Sequence, residues 1–280
     1  IQPASGDAGG ALGAALATYY KMLKNQRIVN KDDSMQGSYL GPEYTQEKVE
    51  SSLNDLGANF SLLEDEDLIK TTCNSLINGK AVGWHQGRME FGPRALGCRS
   101  ILGDPRSPEM QKTLNLKVKY RESFRPFAPS ILYETLSKWF DLENKSPYMG
   151  IVSEIKSTQR KDMYGKDKNS FGLDKLYLER SSLPAITHVD YSARIQTVHK
   201  ETNPKYHALI SKFYELTDCP VLINTSFNIR GEPIVNSPKD AFRCFMGTDM
   251  DVLVIGNCIL KKEDQDSSLS KDYKSNFKLD

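Results

Sequence analysis

Three short strings gather most of the residues in this chain whose types and spacing suit chemistry. The first, GRMEFGPRALGCRS from Gly87 to Ser100, repeats glycine every five residues at Gly87, Gly92 and Gly97, with Arg88, Arg94 and Arg99 close by. Glycines let backbone N–H groups approach a ligand closely, and a planar guanidinium fork grips two oxygens of a phosphate or carboxylate at once. The second, KVKYRESFRPFAPS from Lys117 to Ser130, sets four cations (Lys117, Lys119, Arg121, Arg125) against Glu122, and Pro126 fixes the backbone behind Arg125. The third, CPVLINTSFNIRGEP from Cys219 to Pro233, runs an apolar strand into Asn224, Ser226 and Asn228, which alternate onto one face as the strand ends. Ligands of open α/β sheets collect beyond the carboxyl ends of strands, and hydroxyls and amides there both donate and accept hydrogen bonds. Cations beside such short polar groups suit an oxyanion such as phosphate.

Spacing alone leaves plainer readings open. The first string also fits a tight surface turn whose arginines pair with Glu90 and Asp104, the second a solvated helix face, the third a polar strand-to-loop cap. None of the strings is a Walker A or a G-x-G-x-x-G motif. His188 and Asp190 could form a strand-face pair with Arg194 as a further anion contact, or His188 is a structural histidine. No G-x-S-x-G is present, and Cys98, between Gly97 and Arg99, is the one cysteine whose neighbours would lower a thiol pKa.

These residues need a scaffold, and 280 residues supply one large or two modest domains. The 37 Lys and Arg almost cancel the 36 Asp and Glu, so a general nucleic-acid surface is not expected and the positive charge is local. No apolar stretch reaches the roughly 20 residues that cross a bilayer. Five scattered cysteines without a C-x-x-C pair predict buried thiols in a reducing, cytoplasmic setting, and the four histidines lack zinc-ligand spacing. The chain begins on Ile1, which predicts an excised fragment. Periodicity predicts helices over 9–23 (capped by Asp7), 45–56, 64–77, 107–120 and 203–216, and strands over 81–85, 221–223 and 252–255. The proline-bearing stretch 124–132 should be a strand or sheet edge, 25–41 a linker, 157–169 a mobile loop, and the tail beyond Lys261 frayed. Alternating helices and short strands predict an α/β or α+β sheet.

Taken together, GRMEFGPRALGCRSILGDPR, VKYRESFRPFAPS, THVDYSARIQTV, NTSFNIRGEPIVNSP, TDMDVLVIG and the opening QPASGDAGGALGAAL resemble the carboxy-terminal part of the NodU/CmcH-type O-carbamoyltransferases, over about Ile1 to Gly256. The resemblance implies a YrdC-like twisted mixed sheet over 37–280, preceded over 1–36 by a remnant of an actin-like (ASKHA) lobe. It implies that the YrdC-like part forms carbamoyl-adenylate from carbamoyl phosphate and ATP with Mg2+. The carbamoyl group would then pass to a hydroxyl-bearing acceptor on the amino-terminal lobe, the chain's implied partner.

By the same resemblance Arg94 matches a phosphate contact, and Lys119 and Arg125 hold carbamoyl phosphate and the adenylate phosphate. Arg194 matches the arginine of the S/T-A-R-x-Q-T string, and Asn224 and Ser226 contact the nucleotide or its phosphates. Arg99 and Asn228 join them as candidate binding residues. Asp7 matches a ligand for Fe2+ or a similar divalent metal, whose histidine ligands would lie upstream. Cys98 departs from an asparagine common in the family, and the insertion around 157–178 is unusual. The alternatives are a non-catalytic nucleotide- or RNA-binding module and a threonylcarbamoyl-adenylate synthase-like enzyme.

Overall fold

Val82, Ile101, Ile131, Ile195, Leu222 and Val254 are fully shielded from solvent, and the runs that contain them form one mixed sheet. The computed structural model describes every residue except 1, 5, 7, 8, 31, 32, 164–169, 177, 271, 272, 274, 276 and 278–280. In chain order the strands are β1 Ser61–Leu62, β2 Val82–His85, β3 Arg99–Gly103, β4 Ala128–Leu132, β5 Ile151–Glu154, β6 Ser192–Val198, β7 Val221–Ser226, β8 Val252–Ile255 and β9 Cys258–Lys261. They lie side by side as β1-β9-β8-β2-β3-β7-β4-β6-β5. Only β2 with β8 and β4 with β6 run parallel; every other pair is antiparallel.

The helices are α1 Gly10–Ala17, α2 Gln46–Asp55, α3 Asp65–Ile77, α4 Met110–Thr113, α5 Leu136–Trp139, α6 Leu173–Leu176, α7 Pro204–Thr217 and α8 Pro238–Met246. Two covering layers follow from strand alternation. Trp84 points toward α7 and donates to the Gly97 carbonyl, while His85 points toward α8 and meets the Asn236 carbonyl. α3 packs beside α7, with the Cys73 thiol donating to the Leu209 carbonyl. α7 starts cleanly because the Asn203 side chain accepts from the Tyr206 N–H and Pro204 pre-sets the first turn. α8 starts with a capping box in which Ser237 and Asp240 satisfy each other's backbone N–H. Both caps lie at the end of the sheet where β2 passes to β3, Asn203 near Gly97 and Asn236, just before Ser237, against His85.

Some expectations change. The predicted helix over 107–120 is α4 followed by a wider π turn at Leu114–Val118, and it stops before Tyr120, which has φ +50°. Met110, Leu114 and Val118 are buried as their spacing implied, but Lys119 and Arg121 leave the helix. The stretch with Pro129 is an interior strand, not an edge. Leu132 N–H faces β7, so alternation turns the Pro129 nitrogen toward β6, where pairing starts only at Ser130. The tail is not frayed where it is described: Leu269, Tyr273 and Phe277 pack on the core. α1 forms as predicted, yet none of its residues is buried. Of the expected loop over 157–169, residues 164–169 lie outside the described residues, and Ser157–Gln159 is a short 3-10 turn.

Candidate active site

Register gathers all three motif strings at one end of the sheet. His85, at the end of β2, lies opposite both Arg99 and Ile255; Ser226, at the end of β7, lies opposite Ser100; and Asn224 lies opposite Ala128. Gln196 pairs with Ser130, which brings Arg194, two residues earlier on β6, to the same end. Strand alternation then sets Arg194, Gln196, Ser130 and Asn224 on the α7 face.

From the α8 side, Lys119 reaches the end of β7. Its ammonium, 4% exposed, donates to Ser226 O, to Ser226 Oγ at 3.1 Å, to Asn228 O at 2.9 Å and to Asn228 Oδ1 at 2.8 Å. Ser226 Oγ in turn donates to Asn228 Oδ1 (2.7 Å), and Asn228 Nδ2 donates to Glu232 O (2.6 Å). Burial, then the nearby Arg121 charge, pulls Lys119 down to about 7. Four oxygens surround this charge, and it has no ion-pair partner among the described residues, although Glu232 acts on it from a distance. The segment that follows is pinned by buried Asn115, whose Nδ2 donates to the Ser123 and Arg125 carbonyls and whose Oδ1 accepts from Arg121 Nε at 2.6 Å. Arg121 also lies 5.0 Å from the Phe127 ring, and burial followed by Arg125 lowers it to about 10. Arg125 is exposed and pairs with Glu122 at 2.9 Å, a contact worth little in water.

On the α7 face, the first arginine string forms a long loop between β2 and β3. Asn224 Nδ2 donates to Ala95 O (3.1 Å) and Gln196 Oε1 (2.8 Å), and Gln196 Nε2 donates to Leu96 O (2.8 Å). Arg94 is exposed at the tip of this loop and makes no hydrogen bond or ion pair with the described residues. Its charge lies close enough to Arg194 to depress that guanidinium, after burial has done so first. Arg194 Nε is buried without a partner, as is Asn224 Oδ1. Arg194 Nε and Asn224 Oδ1 thus lie on one face with unmet hydrogen-bonding capacity, beside the exposed Arg94 guanidinium.

Arg99 has a different place. It is 0% exposed, and its guanidinium donates to the carbonyls of Asn236, Gln86, Gly87, Cys98 and Pro42, so all of it is used to tie four chain segments together. The Cys98 thiol is buried and pushed up, by desolvation first and Glu90 second, rather than lowered by its neighbours. Asp190 accepts from Ser192 in a local turn and burial lowers His188, leaving no hydrogen-bonded pair between them. Asp7 lies outside the described residues. Among the described residues no group of three His, Cys, Asp or Glu could hold a metal, and no helix is long and apolar enough to cross a membrane. Sequence reasoning missed Gln196, Asn115 and Glu232; their only signal was position inside or beside the motif strings. A cavity of about 1060 Å³ is lined by Tyr39, Arg88, Cys98, Lys145, His199 and Lys205 and includes none of Arg94, Arg99, Lys119, Arg125 and Arg194. Arg194 Nε and Asn224 Oδ1 are two of five unpartnered buried side-chain atoms among the described residues, the others being Glu90 Oε2, Tyr206 Oη and Asn236 Oδ1.

A family described as "Carbamoyltransferase C-terminus" matches residues 73–262. An uncharacterized protein, sll1178, of Synechocystis sp. is 54% identical over all of this chain and 46% of its own length. Nodulation protein NolO of Bradyrhizobium diazoefficiens is 40% identical over 94% of this chain and 44% of the relative. A 3'-hydroxymethylcephem-O-carbamoyltransferase of Amycolatopsis lactamdurans is 31% identical over 92% and 42%. The chain spans about half the length of the curated relatives it matches.

Proposed function

The chain belongs to the carbamoyltransferase C-terminus family, and from that premise we propose that this end of its sheet activates a carbamoyl group as carbamoyl-adenylate. The observation that carries the reading is the buried, unmatched Arg194 Nε on the face where Gln196 and Asn224 hold the loop of Arg94, so that the two guanidiniums feel each other's charge. Their mutual repulsion is unfavourable until an anion lies between them. Carbamoyl phosphate and ATP are both anions that must share one site, and fixed cations offset that repulsion.

The chemistry balances with one water. Water cleaves carbamoyl phosphate to carbamate and phosphate; a carbamate oxygen then bonds to the α-phosphorus of ATP, and pyrophosphate leaves with the electron pair of the broken P–O bond. In this reading Arg94 and Arg194 hold the phosphoryl oxygens, and Lys119 with Arg125 offsets charge on the polyphosphate. Asn224 Oδ1, an acceptor without a donor, suits the carbamoyl NH2. Ser226 and Asn228 act by holding the Lys119 proton at Nζ. Mg2+ would come with ATP. Among the described residues no group of three His, Cys, Asp or Glu is placed to hold it, so the phosphates themselves would.

Carbamate decomposes in open water, so the site needs cover. Apolar Leu16, Tyr19, Met22 and Leu23 stand exposed on and after α1. That surface suits a second lobe of the kind its longer relatives have room for, which would accept the carbamoyl group for transfer to a hydroxyl. Calorimetric titration with ATP tests the binding half of the proposal. Arg194→Ala should weaken ATP or carbamoyl phosphate by about 2–5 kcal/mol, and unchanged affinity for both would defeat it.

A further inference from the structure

Residues 95–98, which carry the chain away from Arg94, have almost no regular backbone pairing. Side chains satisfy them instead. Asn224, Gln196, Tyr39 and Trp84 donate to the carbonyls of Ala95, Leu96 and Gly97. The N–H groups converge mainly on one atom: Glu90 Oε1 accepts from Leu96 N at 2.7 Å, Cys98 N at 2.7 Å and Arg99 N at 3.2 Å, and Ser100 Oγ takes the fourth, Gly97 N, at 3.0 Å. Glu90 itself is 6% exposed, makes no ion pair with an arginine among the described residues, the pairing its place in the string left open, and its Oε2 is buried without a partner. Its own leg of the loop is fixed from outside, where Met89 N donates to Pro42 O, Gly41 N to Met89 O and Phe91 N to Ser38 O.

The loop therefore has one leg zipped to residues 38–42 and the other leg folded onto a carboxylate carried by the first. Gly92, Pro93 and Arg94 form the bend between them. Three backbone donors arranged around one oxygen make an anion nest, here filled by the protein's own side chain. A carboxylate that accepts several backbone N–H groups makes strong, charge-assisted bonds. Nothing else among the described residues fixes the Arg94 side chain directly, so its aim depends on how these two legs are held together.

We propose that Glu90 is the positioning residue of this site: by gathering the N–H groups of residues 96, 98 and 99 it holds Arg94 opposite Arg194 and so sets the affinity of the arginine pair for a substrate phosphate. The role rests on the anion-binding reading above, but it has its own signature. Glu90→Gln keeps the size and an acceptor oxygen while losing the charge; Glu90→Ala leaves three buried N–H groups without a partner and is the variant more prone to unfold.

The test is calorimetric titration with inorganic pyrophosphate of the native chain, Glu90→Gln, Arg94→Ala, Lys119→Ala, and Glu90→Gln combined with each of the other two. Circular dichroism confirms that each variant is folded. Glu90→Gln should lose about tenfold in affinity, the scale of one weakened charge-assisted hydrogen bond. That loss should vanish once Arg94 is already alanine and persist when Lys119 is alanine, because the effect travels through Arg94. A loss that adds in full to Arg94→Ala, or no loss in folded Glu90→Gln, overturns the proposal. Unchanged affinity in Arg94→Ala itself would instead overturn the anion site on which it rests.

Discussion

Arg99 and Arg194 illustrate how little a residue type settles alone. Both are arginines in motif strings, and both were expected to bind a ligand. Arg99 spends every donor group on main-chain carbonyls, while Arg194 keeps a buried Nε unmatched beside Arg94. The sequence marked a neighbourhood that the sheet does bring together, because guanidinium, hydroxyl and amide groups cluster there in any fold that joins the strings. It could not separate fastener from ligand contact, since that depends on which carbonyls from distant segments, such as Asn236 and Pro42, come within reach.

Lys119 yields a prediction of its own. Its ammonium titrates near 7, and a bound anion stabilises the protonated form and raises that value. Binding should then take up a proton above pH 7, so affinity falls as pH rises, by up to about tenfold per unit. Sulfate, which keeps its charge over this range, is the suitable probe between pH 6.5 and 8.5. Lys119→Arg, charged throughout, should flatten the profile. A flat profile in the native chain would remove Lys119 from the account.

Among the elements, β7 links the two cationic groups. Its Asn224 holds the first loop and its Ser226 holds Lys119. The strand and its polar end were legible from apolar residues giving way to alternating Asn and Ser. The change to a π turn at Leu114 was not, because the apolar spacing from Met110 to Val118 runs straight through it while backbone hydrogen bonding changes. Asn115 is the element-scale test. Asn115→Ala removes hydrogen bonds to Ser123, Arg125 and Arg121 and should cost about 2–4 kcal/mol of stability. Denaturant titration measures it, and a change below about 0.5 kcal/mol would deny the clamp.

Gly97 makes the same point for the first loop. It has φ +104°, and a Cβ there would stand 2.2 Å from the Tyr206 ring, the first apolar turn of α7. Gly97→Ala should lower the melting temperature by several degrees, on the order of 2 kcal/mol or more. An unshifted melting curve would mean that the loop does not rest on α7.

Seen whole, the molecule is a mixed sheet with helices on both faces, and its three motif strings gather at one end. The α/β class followed from alternating helical and strand periods. Strand order did not, because β7 enters between β3 and β4, a pairing no local pattern specifies. The first helix is the clearest unfinished surface. Met22 is 74% exposed and Leu23 65%. Replacing both by serine should leave the melting temperature of this chain within about a degree, since neither is packed. The same change in a protein with both lobes should reduce carbamoyl transfer to an acceptor. Equal transfer rates would show that this surface does not serve the second lobe.

The central claim is adenylate formation, and exchange of labelled pyrophosphate into ATP measures it most directly. The account predicts exchange that rises above background only when carbamoyl phosphate is present and is lost in Arg194→Ala. ATP binding accompanied by exchange that is the same with and without carbamoyl phosphate would contradict it.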